Sequence, residues 1–168
     1  MLIICTHPSQ IDFGQLMQVY HQSNLQAGAE NYPDCSVDRQ IYEAEQDFYF
    51  FLKEFFSLPG TIYLIWAPDG VYKSALRVEP YRDGMLIEGL ETLPDSRRMG
   101  YAKSLLSEAV SYISATKQSI LYSHIAKNNL ASQSVHIACG FCKISDYAVY
   151  IDGSVDRKSY TYKKECNQ

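Results

Sequence analysis

One short segment, Leu93–Ala102, most constrains how this chain can fold. It follows a strand-like stretch, residues 85–93, and leads into small and apolar residues at helical spacing, namely Ala102, Leu105, Leu106, Ala109, Val110 and Ile113. Gly100 allows the backbone to approach a ligand closely, and the first turn of the following helix has unpaired N–H groups. Positive charge comes from Arg97, Arg98 and Lys103. The sequence therefore predicts a strand, a turn and a helix that bind an anion such as pyrophosphate. The donors would be the N–H groups of Met99, Gly100, Tyr101 and Ala102.

The remaining pattern predicts a single α/β domain over residues 1–168. A strand at 2–5 is followed by a helix around 11–20, a loop rich in Gly, Asn and Pro that runs to Pro33, and a second helix at about 37–57. The middle of the chain changes to short strands joined by tight turns, at 61–66, 71–78 and 85–93. After the helix that begins at Ala102, we expect a strand at 119–125, a short helix that ends at Gly140, and a closing pair of strands at 144–151 and 158–163.

Composition narrows the class of protein. The 168 residues carry a formal net charge of −4, which disfavours nucleic acid as a partner because phosphate binding needs a clustered basic surface. No stretch approaches the roughly 20 apolar residues of a membrane span, and the N-terminus has no secretory pattern. The five cysteines have no disulfide-framework spacing, and Cys139-x-x-Cys142 lacks a second pair. We therefore expect a cytoplasmic protein with free thiols, no metal, and no membrane or nucleic-acid partner.

The turn segment and a second motif downstream carry a family resemblance. The first motif reads Thr92-Leu-Pro94-x-x-Arg97-Arg98-Met-Gly100-Tyr-Ala102, with Leu105-Leu106 in the helix that follows. The second motif reads Asn129-x-x-Ser132-x-x-Val135-His136-x-x-x-Gly140-Phe141. In order and spacing they resemble the signatures of the GNAT superfamily of N-acetyltransferases, V-x-P-x-x-R-G-x-G-x-G/A and N-x-x-A/S-x-x-l-Y-x-x-x-G-F. The sequence departs from the family where Thr92 replaces Val, Arg98 replaces a frequent Gly, and His136 replaces a frequent Tyr.

The resemblance implies a fold and a co-substrate. The fold would be a central mixed, mostly antiparallel sheet of about seven strands with helices on both faces, splayed between the fourth and fifth strands. In the family, the pantetheine arm of acetyl-CoA fills the wedge between those strands, here residues 85–93 and 119–125, and the pyrophosphate lies on the turn. The residues that would contact acetyl-CoA are Thr92, Leu93, Arg97, Arg98, Met99, Gly100, Tyr101, Ala102, Lys103, Asn129, Ser132 and His136.

The resemblance also implies candidates for the chemistry. Backbone N–H groups near residues 90–93 would polarise the thioester carbonyl, and His136 stands where the family often has a tyrosine that protonates the leaving thiolate. A pKa near 6.5 suits proton transfer, but a histidine that only packs beside the thiol is the alternative. Glu88 and Glu91 are candidates for the general base, with solvated or ion-paired carboxylates as the alternative. Strand alternation puts them on opposite faces unless a bulge intervenes. His124, within the strand 119–125, is expected to be a buried, hydrogen-bonded histidine, with a catalytic histidine as the alternative.

These features together predict an acyltransferase that moves an acetyl group from acetyl-CoA to a primary amine by direct transfer in a ternary complex. The acceptor would be a small-molecule amine or an amine of a protein or peptide, and the protein could form a homodimer. The alternative is a non-catalytic sensor or partner module that binds acyl-CoA, because the family's tyrosine is missing and the base is undecided. Only the enzyme would release free CoA faster in the presence of an amine.

Overall fold

The computed structural model describes residues 1–116 and 120–166. Within them the strands are β1 (Leu2–Cys5), β2 (Ile62–Trp66), β3 (Ser74–Tyr81), β4 (Gly84–Thr92), β5 (Ile120–Ala126), β6 (Cys142–Ser145), β7 (Ala148–Val149), β8 (Val155–Asp156) and β9 (Ser159–Glu165). The α-helices are α1 (Phe13–Val19), α2 (His21–Asn31), α3 (Val37–Ser57), α4 (Tyr101–Ala115) and α5 (Leu130–Ala138). Among these residues no helix has the length and apolar character to cross a membrane, and no three His, Cys, Asp or Glu side chains form a group that could hold a metal ion.

Seven strands form one mixed sheet in the order β1-β2-β3-β4-β5-β9-β6. Its neighbouring strands are antiparallel except β4 and β5, which run parallel. The parallel ladder is short, because it extends only from the pair Met85–Leu121 to the pair Ile87–Ser123. Beyond that point β4 pairs with β3 and β5 pairs with β9, so the two central strands diverge and leave a wedge between them. This confirms the predicted seven-stranded sheet, splayed between its fourth and fifth strands.

Helices cover both faces of the sheet because side chains alternate along each strand. In β2, Leu64 packs on the face covered by α4, whereas Tyr63 and Ile65 pack on the opposite face. The helical residues buried on the first face are Leu105, Leu106, Ala109 and Ile113 of α4. Those buried on the second face are Leu16, Met17 and Val19 of α1, and Leu52 and Phe55 of α3. The predicted arrangement of helices on both faces is confirmed.

The predicted loop that runs to Pro33 was wrong, because most of it is helix α2. This helix has few apolar residues, and its glycine and asparagines suggest a loop when they are considered locally. It packs along α3, where Asn24 and Gly28 are buried and the Gln40 side chain donates a hydrogen bond to the carbonyl oxygen of Tyr32 (3.0 Å). Tertiary packing therefore determines its conformation rather than its own amphipathic pattern.

The predicted closing pair of strands is present only in part, since residues 142–145 pair with β9 but residues 148–149 do not. Strand β9 pairs with both β5 and β6, and residues 148–149 turn back to pair with β8 in a separate hairpin. Two hydroxyl groups hold this hairpin against the sheet: Tyr81 donates to the Val149 carbonyl (2.5 Å), and Thr161 donates to the Tyr147 carbonyl (2.8 Å). The limits of β3 also differ, since it spans Ser74–Tyr81 rather than 71–78. The first predicted residue of β5, Ser119, lies outside the described residues.

Leu106 tests the packing of α4 on the sheet. Its side chain is completely buried in the core, whereas Leu130 in α5 is 70% exposed. We expect Leu106→Ala to lower the free energy of unfolding by about 2–5 kcal/mol, because the change removes apolar contacts and leaves a cavity. Leu130→Ala should change it by less than about 0.5 kcal/mol. Urea unfolding followed by circular dichroism measures both values, and an unchanged midpoint for Leu106→Ala would contradict the packing described.

Candidate functional site

A groove of about 630 Å³ follows the wedge between β4 and β5 and continues to the N-terminus of α4. The end of β4, the turn before α4 and the first turns of α4 and α5 form its walls. Most of the residues predicted to contact acetyl-CoA line it, namely Thr92, Arg97, Arg98, Gly100, Tyr101, Ala102, Lys103, Asn129 and Ser132. The structure therefore brings the two sequence motifs together around one groove.

Three of the predicted contact residues do not line this groove. The N–H of Leu93 donates to the carbonyl oxygen of Lys73 (2.9 Å), and its side chain packs on the face of α1 and α3. Met99 is 64% exposed, since the turn directs its side chain toward solvent. His136 lies on the buried side of α5. The spacing of residues in the sequence does not show in which direction a turn or a packed helix points each side chain, so these three positions could not be predicted from it.

The turn before α4 has the features of an anion site. Gly100 is the N-cap of α4 with φ of +83°, and no side chain of the described residues caps the helix. A Cβ at Gly100 would find no described heavy atom within 4 Å, so the first turn of α4 faces open space. The N–H groups of a helix N-terminus and the positive end of its dipole favour a phosphate there. The residues present therefore fit the pyrophosphate of a coenzyme A molecule.

The backbone conformation at Arg98 explains why the family often has glycine at this position. Its φ is +66°, in the left-handed region that favours glycine. A side chain in this region costs about 1–2 kcal/mol, so this chain keeps a cation at the groove at the expense of local strain. The departure from the family pattern changes the side chain while the turn keeps the left-handed conformation.

Arg97 connects the turn to α2. Its Nη1 donates to Oε1 of Gln22 (2.5 Å), and its Nη2 lies 3.8 Å from Oε2 of Glu91. Glu91 in turn accepts a hydrogen bond from the hydroxyl of Ser23 (2.7 Å). Gln22 and Ser23 were missed in the sequence, because α2 was predicted as a loop. Helix α2 thus supports the turn through polar contacts to Arg97 and Glu91.

A β-bulge in β4 changes which face Glu91 occupies. Arg77 in β3 lies opposite Glu88, whereas Ala75 lies opposite Glu91, so β4 has one extra residue between the two pairs. Arg77 and Ala75 share a face because they are two residues apart on β3. Glu88 and Glu91 therefore also share a face, the one opposite α4. The condition stated from the sequence, that a bulge would be needed to bring them together, is met.

The bulge is centred on Gly89, and buried side chains stabilise it. Gly89 has φ of +60°, and a Cβ there would lie 2.6 Å from Nη1 of Arg77. The hydroxyl of Tyr20 donates to the Gly89 carbonyl oxygen (2.5 Å) and accepts from the hydroxyl of Tyr63 (3.0 Å). The left-handed backbone thus favours glycine, a Cβ would displace the Arg77 guanidinium, and two buried tyrosines fix the direction of the Gly89 carbonyl group.

Glu88 lies between a cation and a second carboxyl group. Its Oε2 accepts a hydrogen bond from Nη2 of Arg77 (3.1 Å), whose guanidinium lies 4.9 Å from the ring of Phe51. Burial, and then the charge and hydrogen bond of Glu88, raise the pKa of Glu79 to about 7. Glu79 therefore shares its proton with solvent near neutral pH, because the neighbouring carboxylate of Glu88 disfavours a second negative charge there. Sequence spacing gave no sign of this pair, because it forms across two strands.

His136 is positioned to pack rather than to donate a proton in its resting form. It is 1% exposed, and its ring lies against Phe141 at 5.2 Å between centroids. Its Nδ1 lies 2.8 Å from the carbonyl oxygen of Ser132, which can only accept, so Nδ1 carries the proton. Burial lowers the pKa of His136, and the hydrogen bond to Ser132 partly opposes this effect. The neutral ring then has a bare Nε2, and the predicted role as thiol proton donor stays a prediction that requires a protonated ring.

His124 differs from the hydrogen-bonded histidine expected from the sequence. Both of its ring nitrogens are buried, yet neither has a hydrogen-bonding partner in the part of the chain that the structure describes. Its ring lies edge-on to the rings of Tyr81 and Tyr150, at 5.5 Å and 5.2 Å between centroids. The expectation was therefore wrong, because the neighbours of this side chain are aromatic ring faces and edges rather than polar atoms.

Comparison with known proteins identifies the family of this fold and site. The family model described as the acetyltransferase (GNAT) family matches residues 18–141. The chain therefore belongs to the GNAT family of acetyltransferases. No curated protein sequence matches the chain significantly. Membership in the family agrees with the wedge, the turn and the order of the two motifs.

Solved structures of N-acetyltransferases share the fold over nearly the whole chain. The ribosomal-protein-S18-alanine N-acetyltransferase from Escherichia coli has a TM-score of 0.63 at 15% identity and covers 100% of this chain and 96% of its own. The PaiA N-acetyltransferase from Thermoplasma acidophilum in complex with coenzyme A has a TM-score of 0.65 at 13% identity, with coverage of 98% and 99%. The ribosomal-protein-alanine N-acetyltransferase from Brucella melitensis has a TM-score of 0.61 at 18% identity, with coverage of 97% and 99%. At these identities the likeness concerns the fold.

Burial of His136 predicts a pH dependence of stability. Because its pKa is lower in the folded state than the ordinary value of about 6.5, the unfolded chain binds the proton more readily. Stability should therefore fall as the pH decreases from about 6.5 toward the folded-state pKa. We expect His136→Phe to remove part of this loss, because phenylalanine fills the same space without titrating. Urea unfolding at about pH 7.5 and about pH 5.5 measures it, the higher pH reporting the change in packing alone. Equal losses in the parent and the variant would contradict the assignment.

Proposed function

We propose that the protein transfers an acetyl group from acetyl-CoA to a primary amine in a direct, ternary-complex reaction. The observation that carries the proposal is that the wedge between β4 and β5 opens onto the N-terminus of α4 within one groove. The open edge of β4 offers backbone groups to an extended arm, and the helix start offers N–H groups to a pyrophosphate. A coenzyme A molecule carries both chemical groups in series, and the PaiA relative that shares the fold was solved with coenzyme A.

In this proposal, different residues of the groove bind different parts of the acetyl-CoA molecule. The N–H groups of the first turn of α4 hold the pyrophosphate, with Arg98 and Lys103 as the cations on its rim. Asn129 lies at the start of α5 on the opposite wall, where its Oδ1 accepts a hydrogen bond from the N–H of Ser132 (3.0 Å). That bond fixes the side chain beside the path of the pantetheine arm. Bound acetyl-CoA supplies an activated thioester, and the free N–H groups of β4 polarise its carbonyl.

The amine would approach from the face of the sheet opposite α4, since α4 covers the other face. A second groove of about 500 Å³ lies there, between the sheet and the segment that joins β7 to β8. Glu88 and Glu79 line it, whereas Glu91 lines the first groove and is held by Ser23 and Arg97. Of the two carboxylates predicted as the base, Glu88 therefore lies closer to an incoming amine. The acceptor remains either a small-molecule amine or an amine of a protein or peptide.

Gly100 offers a direct test of the binding site. We expect Gly100→Glu to abolish binding of acetyl-CoA, because the new carboxylate would project into the space proposed for the pyrophosphate. Gly70→Glu is the matched control, since Gly70 has nearly the same φ of +76° and an equally open Cβ direction but lies outside the groove. Both changes carry the same cost of a left-handed side chain. Calorimetry with acetyl-CoA measures the affinity, and equal affinity in both folded variants would contradict the proposal.

Release of free CoA in the presence of candidate amines tests the reaction itself. We expect at least one class among alkyl diamines, amino acids, aminoglycosides and peptide N-termini to accelerate the release, with a mass increase of one acetyl group on the acceptor. Heat-treated protein and the Gly100→Glu variant are the controls. Binding of acetyl-CoA without acceleration by any amine would favour the sensor alternative, to which the resting state of His136, with no proton on Nε2, lends support.

A further inference from the structure

The wedge begins at two facing side chains that the family motifs do not include. Strands β4 and β5 stop pairing after Ile87 and Ser123, so the next residues, Glu88 and His124, are the first on each side of the opening. Side chains alternate along a strand, and Tyr122, two residues before His124, packs on the face opposite α4. Glu88 and His124 therefore both point to the face from which the amine is proposed to approach.

His124 is prepared to accept a hydrogen bond that the protein does not supply. Its two buried ring nitrogens have no partner within residues 1–116 and 120–166. The hydroxyls of the two tyrosines beside it are used elsewhere, since Tyr81 donates to the Val149 carbonyl (2.5 Å) and Tyr150 to Asp156 (3.5 Å). Buried polar atoms without partners cost free energy, and they are tolerated where a water or a ligand completes the site.

We propose that His124 is the general base that takes a proton from the acceptor amine. The inference rests on the proposed acetyl transfer. An alkyl ammonium, R–NH₃⁺, gives one proton to a bare ring nitrogen of His124 through one water, since both nitrogens are buried beside the groove rather than on its wall. The freed nitrogen lone pair forms the C–N bond to the thioester carbonyl carbon while the C–S bond breaks. The sulfur takes the electron pair of that bond, and the second proton lost by nitrogen ends on the thiolate. His124 then releases its proton to solvent, leaving the N-acetyl amine and CoA.

The charges around His124 suit this role. Burial lowers the pKa of His124, Glu88 and Asp156 raise it, and Arg82 lowers it further, with burial the largest effect. The ring is therefore neutral near neutral pH and has a lone pair available. Glu88 faces it across the wedge and would stabilise the imidazolium that forms. The groups that face the ring are Glu88 on β4, Tyr81 at the end of β3, Arg82 in the turn before β4, Tyr150 after β7 and Asp156 on β8.

The adjacent groove favours an acceptor that arrives protonated and so needs a base. Besides Tyr150, its ionisable side chains are Glu79, Glu88, Asp152 and one cation, Arg77, which is already paired with Glu88. The excess of carboxyl groups attracts an ammonium rather than an anion. An alkyl ammonium has a pKa near 10.4, so almost none of it is nucleophilic at neutral pH without loss of a proton.

His124→Asn tests the assignment, because asparagine keeps a polar side chain but cannot act as a base. With an alkyl amine at about pH 7, we expect kcat/KM to fall by about 10²–10⁴-fold, and the deficit to shrink as the pH rises toward the pKa of the amine. With an aromatic amine, which is unprotonated at neutral pH, the deficit should be small. The affinity for acetyl-CoA should change little. His7→Asn, at an exposed histidine that follows β1 and lies outside the wedge between β4 and β5, should leave all these values unchanged.

A nuclear magnetic resonance titration adds a reading that does not depend on turnover. The ring signals of His124, assigned by their absence in His124→Asn, should titrate below about 6.5 in the protein without substrates. His124→Gln replaces His124→Asn if the latter does not fold. Two outcomes would overturn this inference and leave the proposed function intact. One is parallel pH–rate profiles for an active parent and a folded variant, and the other is a pKa above about 7 for the His124 ring. A parent that binds acetyl-CoA but acetylates no amine would overturn both.

Discussion

The β-bulge at Gly89 is the constraint on which the rest of the site depends. An extra residue in β4 bends the strand and increases its twist just where its ladder with β5 ends, so the bulge and the wedge are parts of one distortion. The Tyr20 hydroxyl, which is held in place by Tyr63, donates a buried hydrogen bond to the Gly89 carbonyl oxygen. The bend persists because any other orientation of that carbonyl would lose this hydrogen bond. The helices on the side of α1 thus determine the shape of a groove that opens beside α4.

The same bulge sets the electrostatics of the sheet. Without the extra residue, Glu91 would point toward α4, where a carboxylate would stand among the apolar residues of that core. With it, Glu91 reaches Ser23 and Arg97 and supports the turn, while Glu88 pairs with Arg77 at the start of the wedge. One change of register therefore places the acidic side chains on one face of the sheet and leaves the face that packs against α4 apolar.

Local features of the sequence could be predicted and long-range ones could not. The turn at residues 97–102 and the apolar stripe of α4 are visible because their causes, a glycine and a period of 3.6 residues, lie within a few positions of one another. Helix α2 and the β7–β8 hairpin were missed because their stability comes from α3 and from the hydroxyls of Tyr81 and Thr161, which are distant in sequence. The position of Glu91 depended on register, and a single inserted residue reverses the face that periodicity predicts. The role proposed for His124 could not be predicted from the sequence, because it depends on the side chains that surround the ring in the folded structure.

Several local costs in this structure lie beside the wedge and the turn before α4. Among the described residues, the buried side-chain nitrogens without partners belong to His124 and His136, which lie on β5 and α5 beside the opening. Arg98, with its left-handed backbone, lines the groove as well, and the β4 residues that line it begin at Leu90, directly after the bulge at Gly89. A sheet that closed β4 onto β5 would gain ladder hydrogen bonds and lose these strains, so stability alone would not select the open form. Bound ligands would explain why these groups are left unpaired in the protein alone. A pantetheine arm can form hydrogen bonds with the open edge of β4, and an amine can form them with His124 through one water.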